Sequence, residues 1–184
     1  MNKVSVLKEF IKDKNVASVT KTSKYIVEKI CNKIDFSEKQ IIVEYGPGTG
    51  AFTKYLLEKM NQDSKLIIIE TNKEFVENLN KINDSRLIVI YGSAENIQSI
   101  LKANNIAKVD YIISGIPFSF LKKPAVINII KQSKDILDDD GGFFIYQVSA
   151  KIEKHLKEFF PHVSKDFVLN NIPPLHVYEA RKTP

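Results

Sequence analysis

Five short apolar runs recur along the chain, each followed by a stretch whose apolar residues have helical spacing. The runs span residues 40–45, 65–70, 86–91, 109–114 and 142–148; the helical stretches span 51–60, 72–81, 94–104, 122–137 and 150–160. Runs such as Ile41-Ile42-Val43 and Leu66-Ile67-Ile68-Ile69 lack apolar–polar alternation, as expected of strands buried on both faces. Strand–helix alternation of this kind predicts an α/β fold, a Rossmann-like doubly wound parallel sheet. After Pro161 the pattern changes to extended runs at 163–170 and 175–180, separated only by Asn171-Ile172-Pro173-Pro174. That connection is too short for a crossover helix, so the two runs predict an antiparallel hairpin at the sheet edge. Asp138-Asp139-Asp140-Gly141-Gly142 reads as a solvated turn ending the fifth helix.

Ahead of the first strand, residues 1–14 place Val4, Leu7, Phe10 and Ile11 on one helical face, ringed by Lys3, Lys8, Lys12 and Lys14. A turn at 15–22 leads to a helix over 23–34, with Thr22 or Ser23 as its N-cap. The expected organisation is one domain: an amphipathic helix (1–14), a cap segment (15–38) and a sheet core (40–184). Charge changes this picture at one place. Residues 1–40 hold nine lysines against five acids, whereas residues 41–148 hold twelve bases against thirteen acids. A basic amphipathic helix can lie in an anionic membrane interface; it can equally pack on its own domain. No apolar run is long enough to span a bilayer and no secretory leader is expected, which together predict a cytoplasmic, peripherally membrane-associated protein. The single cysteine, Cys31, reads as a core residue, and His155, His162 and His176 lack metal-ligand spacing, so no metal is expected.

The chemistry concentrates where strands end. Glu44-Tyr45-Gly46-Pro47-Gly48-Thr49-Gly50 joins the first strand to a helix near Ala51, and the second strand ends on Glu70, followed by Thr71. A glycine loop at a strand tip with a carboxylate at the next tip is an arrangement that grips a ribose-bearing cofactor. Gly46-x-Gly48-x-x-Ala51 fits a dinucleotide fingerprint, but Glu44 would repel a pyrophosphate and Pro47 lacks the N–H a phosphate would want. An ammonium and a sulfonium suit this acidic loop better. The pattern E-x-G-x-G-x-G resembles the first motif of the class I S-adenosylmethionine-dependent methyltransferases. The resemblance implies S-adenosylmethionine as cofactor, held by Glu44 to Gly50 (Tyr45, Gly46, Pro47, Gly48 and Thr49 included), by Glu70 and Thr71, and by Ser93, Ala94 and Glu95 after the third strand. Gly-Ser-Ala is also ordinary helix-capping chemistry. Thr20 and Tyr25 are candidates to close over the cofactor.

The loop after the fourth strand, Ser114-Gly115-Ile116-Pro117-Phe118, is where an acceptor nitrogen would meet the methyl group. Transfer to an amine needs alignment of a neutral lone pair and exclusion of water. Backbone carbonyls at Ser114 and Gly115 would hold amine hydrogens, and the Phe118 ring would face the cation, an interaction of about 0.5–2 kcal/mol. A proline-kinked loop filling core with phenylalanine explains the same residues. Tyr146, near the end of the fifth strand, would reach the crevice or sit as an edge tyrosine. Lys122 and Lys123 would meet a headgroup phosphate or a solvated helix start. No general base stands out.

The loop resembles the N-x-P-Y/F motif of ribosomal RNA adenine dimethyltransferases, with Gly115 where those enzymes have the asparagine that holds adenine. No counterpart of their extra helical domain is expected. A nearer resemblance is to bacterial phospholipid N-methyltransferases. It is carried by Leu7-Lys8-Glu9-Phe10 with Ala17-Ser18-Val19-Thr20, by the Gly46-Pro47-Gly48-Thr49-Gly50 loop, by residues 114–118, and by Tyr146-Gln147 with residues 171–174. Lys21 departs from the proline often found there. This resemblance implies a phosphatidylethanolamine-type substrate and membrane contact through the amino-terminal helix. An RNA adenine acceptor, a small amine, an NAD-dependent reaction and a cofactor-binding protein without catalysis stay open as alternatives.

Overall fold

The computed structural model describes residues 24–171 and 173–184; the expected helix 1–14, the turn at 15–22 and its Thr20, and the cap Ser23 lie outside them. Seven strands form one sheet: β1 (Ile41–Tyr45), β2 (Lys65–Glu70), β3 (Leu87–Tyr91), β4 (Val109–Ser114), β5 (Leu137–Gln147), β6 (His162–Val168) and β7 (Leu175–Arg181). Their order is β3-β2-β1-β4-β5-β7-β6. The first five are parallel, and β7 runs antiparallel between β5 and β6. The fold is therefore the Rossmann-like α/β sheet with a terminal hairpin that the hydrophobic pattern predicts.

Helices α1 (Lys24–Cys31), α2 (Ala51–Lys59), α3 (Lys73–Leu79), α4 (Ile97–Ala103), α5 (Lys123–Ile136) and α6 (Glu153–Phe159) divide between the two faces. On one face α4, α5 and α6 press Ile97, Leu101, Ile129, Ile130 and Leu156 against Val43, Ile67, Ile112, Phe143 and Ile145. On the other, α1, α2 and α3 press Ile26, Ile30, Phe52, Leu56 and Leu79 against Ile42, Leu66, Ile68, Ile113 and Phe144. Each such side chain removed from water contributes about 1.5–3 kcal/mol, which explains why the strands are apolar on both faces. Cys31 is buried in the second core, where desolvation pushes its thiol up to about 12, so it behaves as a small apolar residue.

β5 differs from its expected start. Leu137 already pairs with Val109, and the ladder resumes with Gly142 opposite Tyr111. The residues between them, including exposed Asp138, Asp139 and Asp140, bulge from the strand. Gly141 closes the bulge, because a Cβ there would collide with the backbone oxygen of Asp110.

Strand order reverses between β1, which runs on to β2, and β4, which runs on to β5. At such a switch point the loops leaving the carboxyl ends diverge and open a crevice. The back of β2 is secured by Arg86, whose guanidinium donates to the carbonyls of Leu57 and Met60, each at 2.6 Å, and to the carboxylate of Asp84. It thereby takes up carbonyls at the end of α2 that have no intrahelical partner. Arg86→Met should lower the unfolding free energy by about 2–3 kcal/mol, read from the shift of a urea transition at constant slope; an unchanged midpoint would show that water replaces these bonds without loss.

Candidate cofactor and acceptor site

The glycine loop is shaped by backbone need. Gly46, Gly48 and Gly50 have φ of +65°, +56° and +79°, in the left-handed region that side chains disfavour. Gly46 N–H donates to the carbonyl of Ile69 at 2.9 Å, tying the loop to the end of β2. A Cβ on Gly48 would meet nothing within 4 Å, so the loop turns open space toward the crevice there.

Two carboxylates flank this loop with different environments. Glu70 ends β2; its Oε2 accepts from Gly48 N–H at 3.2 Å and its Oε1 from Asn72 N–H at 2.8 Å. It joins the loops that follow β1 and β2; its Oε1 also accepts the Thr71 hydroxyl at 3.5 Å, while its Oε2 keeps a lone pair for a hydroxyl of a bound ribose. Glu44 is fully buried beneath α2 and accepts the Thr53 hydroxyl at 2.6 Å. Its Oε1 has no partner among the described residues. Burial first, then the charge of Glu70, pushes its carboxyl up to about 7 against the opposing Thr53 bond. A buried acid with an unmatched oxygen, a positive-φ loop with open space and a carboxylate at the next strand tip together fit a cofactor that carries both ribose hydroxyls and cationic groups.

The other expected residues are placed unevenly. Tyr45 contributes only backbone: its side chain is buried in the core with its hydroxyl 3.1 Å from Ser133 Oγ, while its carbonyl accepts from Gly115 N–H at 3.0 Å. Pro47 is buried, and Thr49 and Thr71 are exposed. Ser93 Oγ accepts from Glu95 N–H at 3.2 Å, which is its capping role, and Ala94 is buried below it. Tyr25 is 56% exposed on the first turn of α1.

The acceptor loop packs tightly on the glycine loop and on β5. Ser114 is buried with its Oγ accepting from Ile116 N–H at 3.3 Å. A Cβ on Gly115 would lie 2.5 Å from the Tyr146 hydroxyl and 3.1 Å from the Gly46 carbonyl oxygen. Gly46, Gly115 and Tyr146 therefore meet at one point, and Tyr146 is held there by stacking on Phe52 at 5.8 Å. Pro117 is exposed, whereas Phe118 is 3% exposed and its ring belongs to the core under α5.

Several residues that position the site had no role assigned from the sequence, although Tyr146-Gln147 is part of the resemblance to phospholipid N-methyltransferases. Gln147 is buried; its Oε1 accepts from Phe118 N–H at 3.1 Å and its Nε2 donates to the Ser149 carbonyl. It fixes the acceptor loop against β5. Asn128 and Gln132 donate to the Glu95 carbonyl at 3.2 and 2.6 Å, anchoring the loop after β3 to α5. Their spacing, four residues apart on a helix, is the one hint the sequence held.

The sequence model of the family described as ribosomal RNA adenine dimethylase matches residues 17–103. An ornithine lipid N-methyltransferase of Singulisphaera acidiphila is 25% identical over 169 residues, covering 90% of this chain and 88% of that protein. The ribosomal RNA small subunit methyltransferase A of Mycoplasma capricolum is 37% identical over 98 residues, covering 50% of this chain but only 35% of that one. The chain is a class I S-adenosylmethionine-dependent methyltransferase. Among solved structures, the methyltransferase shares its fold with the precorrin-6y C5,15-methyltransferase of Geobacter metallireducens. That match has a TM-score of 0.68, 14% identity and coverage of 88% of this chain and 89% of the other. S-adenosylmethionine is the cofactor, and the residues that fit it are Glu44, the loop from Gly46 to Gly50, and Glu70.

The buried carboxyl of this methyltransferase gives a pH prediction. Glu44 titrates near 7 in the folded chain against 4.5 for an ordinary glutamate, so folding takes up a proton between those values. Its contribution is most favourable below about pH 4.5 and declines as pH rises through 7, by on the order of 3 kcal/mol. Glu44→Gln should therefore raise Tm at pH 8, flatten that slope and weaken S-adenosylmethionine binding. A lower Tm at pH 8 would mean that the ionised carboxylate is compensated in the protein without cofactor.

Proposed function

We propose that this methyltransferase transfers the methyl group to the amine of a lipid headgroup. The observation that carries the reading is the contact of Gly115 with Tyr146: the position that would hold an adenine-binding asparagine has no room for a side chain. Coverage of the relatives supports it. The ornithine lipid N-methyltransferase is matched over 90% of this chain and 88% of its own length, whereas the ribosomal RNA methyltransferase A of Mycoplasma capricolum is matched over 35% of its own. An ornithine headgroup offers an amine and a carboxylate; a phosphatidylethanolamine headgroup offers an amine and a phosphate. Both combine a nucleophilic nitrogen with an anion.

S-adenosylmethionine supplies an electrophilic methyl group on sulfur. The chain's own residues do the rest. Glu70 and the loop from Gly46 to Gly50 position the cofactor, and Glu44 offsets its positive charge. The Ser114 and Gly115 carbonyls and the Tyr146 hydroxyl accept hydrogen bonds from the neutral amine, aligning its lone pair. Gln147 keeps the Phe118 N–H, and so the loop backbone, in place during the displacement. Lys122 and Lys123 open α5 with no acid in its first turn, a placement unfavourable to the helix dipole and suited to a headgroup anion. The enzyme would work as a peripheral protein at the membrane surface. No helix among the described residues is long and apolar enough to cross a bilayer.

The test is to incubate the protein with methyl-labelled S-adenosylmethionine in parallel with detergent-dispersed phosphatidylethanolamine, ornithine lipid and ribosomal RNA. Label in either lipid supports the reading, and label in RNA alone defeats it. Tyr146→Phe should reduce lipid turnover by about tenfold, the value of one hydrogen bond to a reacting amine, with unchanged cofactor affinity. An equal fall in cofactor affinity would remove Tyr146 from the acceptor side.

A further inference from the structure

The largest concentration of exposed apolar side chains lies at one corner of the fold. Five large hydrophobic side chains are exposed among the described residues, and three of them belong to this corner: Val148 at 57%, Phe167 at 52% and Leu169 at 71%. Sheet register brings them together. Gln147 of β5, His176 of β7 and Phe167 of β6 pair in one row across three strands. Val148 follows Gln147 directly and Leu169 lies two residues after Phe167, where β5 and β6 leave the sheet. The Phe167 ring packs on the His176 ring at 4.8 Å, tilted by 39°, and alternation along β6 puts it on the same face as Lys165, which pairs with Glu153 of α6. This is the carboxyl edge of the parallel strands, the edge that carries the cofactor loop, and the row reaches the acceptor loop directly through the bond from Phe118 N–H to Gln147.

Charge is distributed to match. At the carboxyl edge, exposed Lys122 and Lys123 begin α5, and exposed Lys151 and Lys154 follow β5. The nearby acid Glu153 is engaged by Lys157 and Lys165, at 2.8 and 2.9 Å, and Asp166 by Lys29 on the opposite face. Exposed Asp138, Asp139 and Asp140 sit at the other end of β5. The carboxyl edge thus presents apolar tips beside lysines, while the aspartate bulge at the other end of β5 is met by Lys182, 3.4 Å from Asp139, and by Arg181, which donates to the Asp140 carbonyl. An edge strand normally avoids exposed apolar residues, because they invite association. Three side chains fall well short of the about 800 Å² per partner of a stable protein interface, but they suit insertion into the headgroup region of a bilayer.

Resting on the lipid reading above, we propose that Val148 and the β6–β7 tip, Phe167 and Leu169, form a membrane-docking surface for anionic bilayers. The lysines at this edge engage lipid headgroups, and the acceptor loop is held beside the bilayer so that a headgroup reaches it without leaving the membrane. This contact is separate from the expected one through residues 1–14.

The chain contains no tryptophan, so Leu169→Trp places a single reporter at the tip of the full-length protein. Equimolar phosphatidylglycerol–phosphatidylcholine vesicles should shift its emission to the blue, and brominated acyl chains should quench it. Phe167→Ser with Leu169→Ser should weaken vesicle binding by about tenfold or more while leaving turnover on detergent-dispersed aminolipid intact. Unchanged emission while the protein cosediments with vesicles would overturn the proposal. A blue shift that grows with protein concentration without vesicles would overturn it too, marking a contact between copies. Label in detergent-dispersed aminolipid without quenching defeats this surface alone. Quenching without label in any lipid supports the surface and defeats the acceptor assignment.

Discussion

The contact of Gly46, Gly115 and Tyr146 is the constraint on which the rest of the site depends. A switch-point crevice exists in any sheet whose strand order reverses, and its width is set by how closely the flanking loops approach. Here the loops after β1 and β4 meet with backbone against backbone, and a tyrosine from β5 leans on the glycine of the second loop. The arrangement is rigid because each participant is secured from behind. Gly46 hangs on Ile69, Gly115 on Tyr45, and Tyr146 is stacked on Phe52 of α2. The cofactor loop, the acceptor loop and the first helix after the glycines are thus one mechanical unit.

Around that unit the fold keeps carboxylates in contrasting states. Glu153, held by two lysines at the surface, titrates down at about 2, whereas Glu44, buried under α2, is pushed the other way. The difference is one of solvation and neighbours, since the side chains are chemically identical. A half-protonated acid beneath a site for a cationic cofactor costs the protein stability at neutral pH. That cost is the expected signature of a group kept for binding rather than for folding.

Much of the architecture was legible because both-face burial leaves an unmistakable imprint: runs such as 66–69 and 111–113 have no polar alternation, and they became β2 and β4 within a residue or two. The hairpin was legible from a connection too short for a helix. The beginning of β5 was not, because three aspartates and two glycines read as a turn, and only the partner strand shows that Leu137 rejoins the ladder before the bulge. In the site, Gly46, Gly48, Gly50 and Glu70 announced themselves by spacing. The inward turn of the Tyr45 side chain did not, since a strand buried on both sides gives no clue to which side a tyrosine takes. Gln147 stood out only within a resemblance, and its role escaped for a related reason: its partner Phe118 N–H lies 29 residues away, and only register brings them together.

The fit between Gly115 and Tyr146 also bears on how such enzymes change acceptors over time. A side chain at position 115 requires Tyr146 to yield, and a smaller residue at 146 alone leaves a void beside Phe52. Either step taken singly damages the crevice, while the pair together would restore it. The two positions are therefore expected to have changed in concert. Lineages with different acceptors on this scaffold would then be divided by a valley of poorly working intermediates, which would keep them apart despite a shared cofactor half.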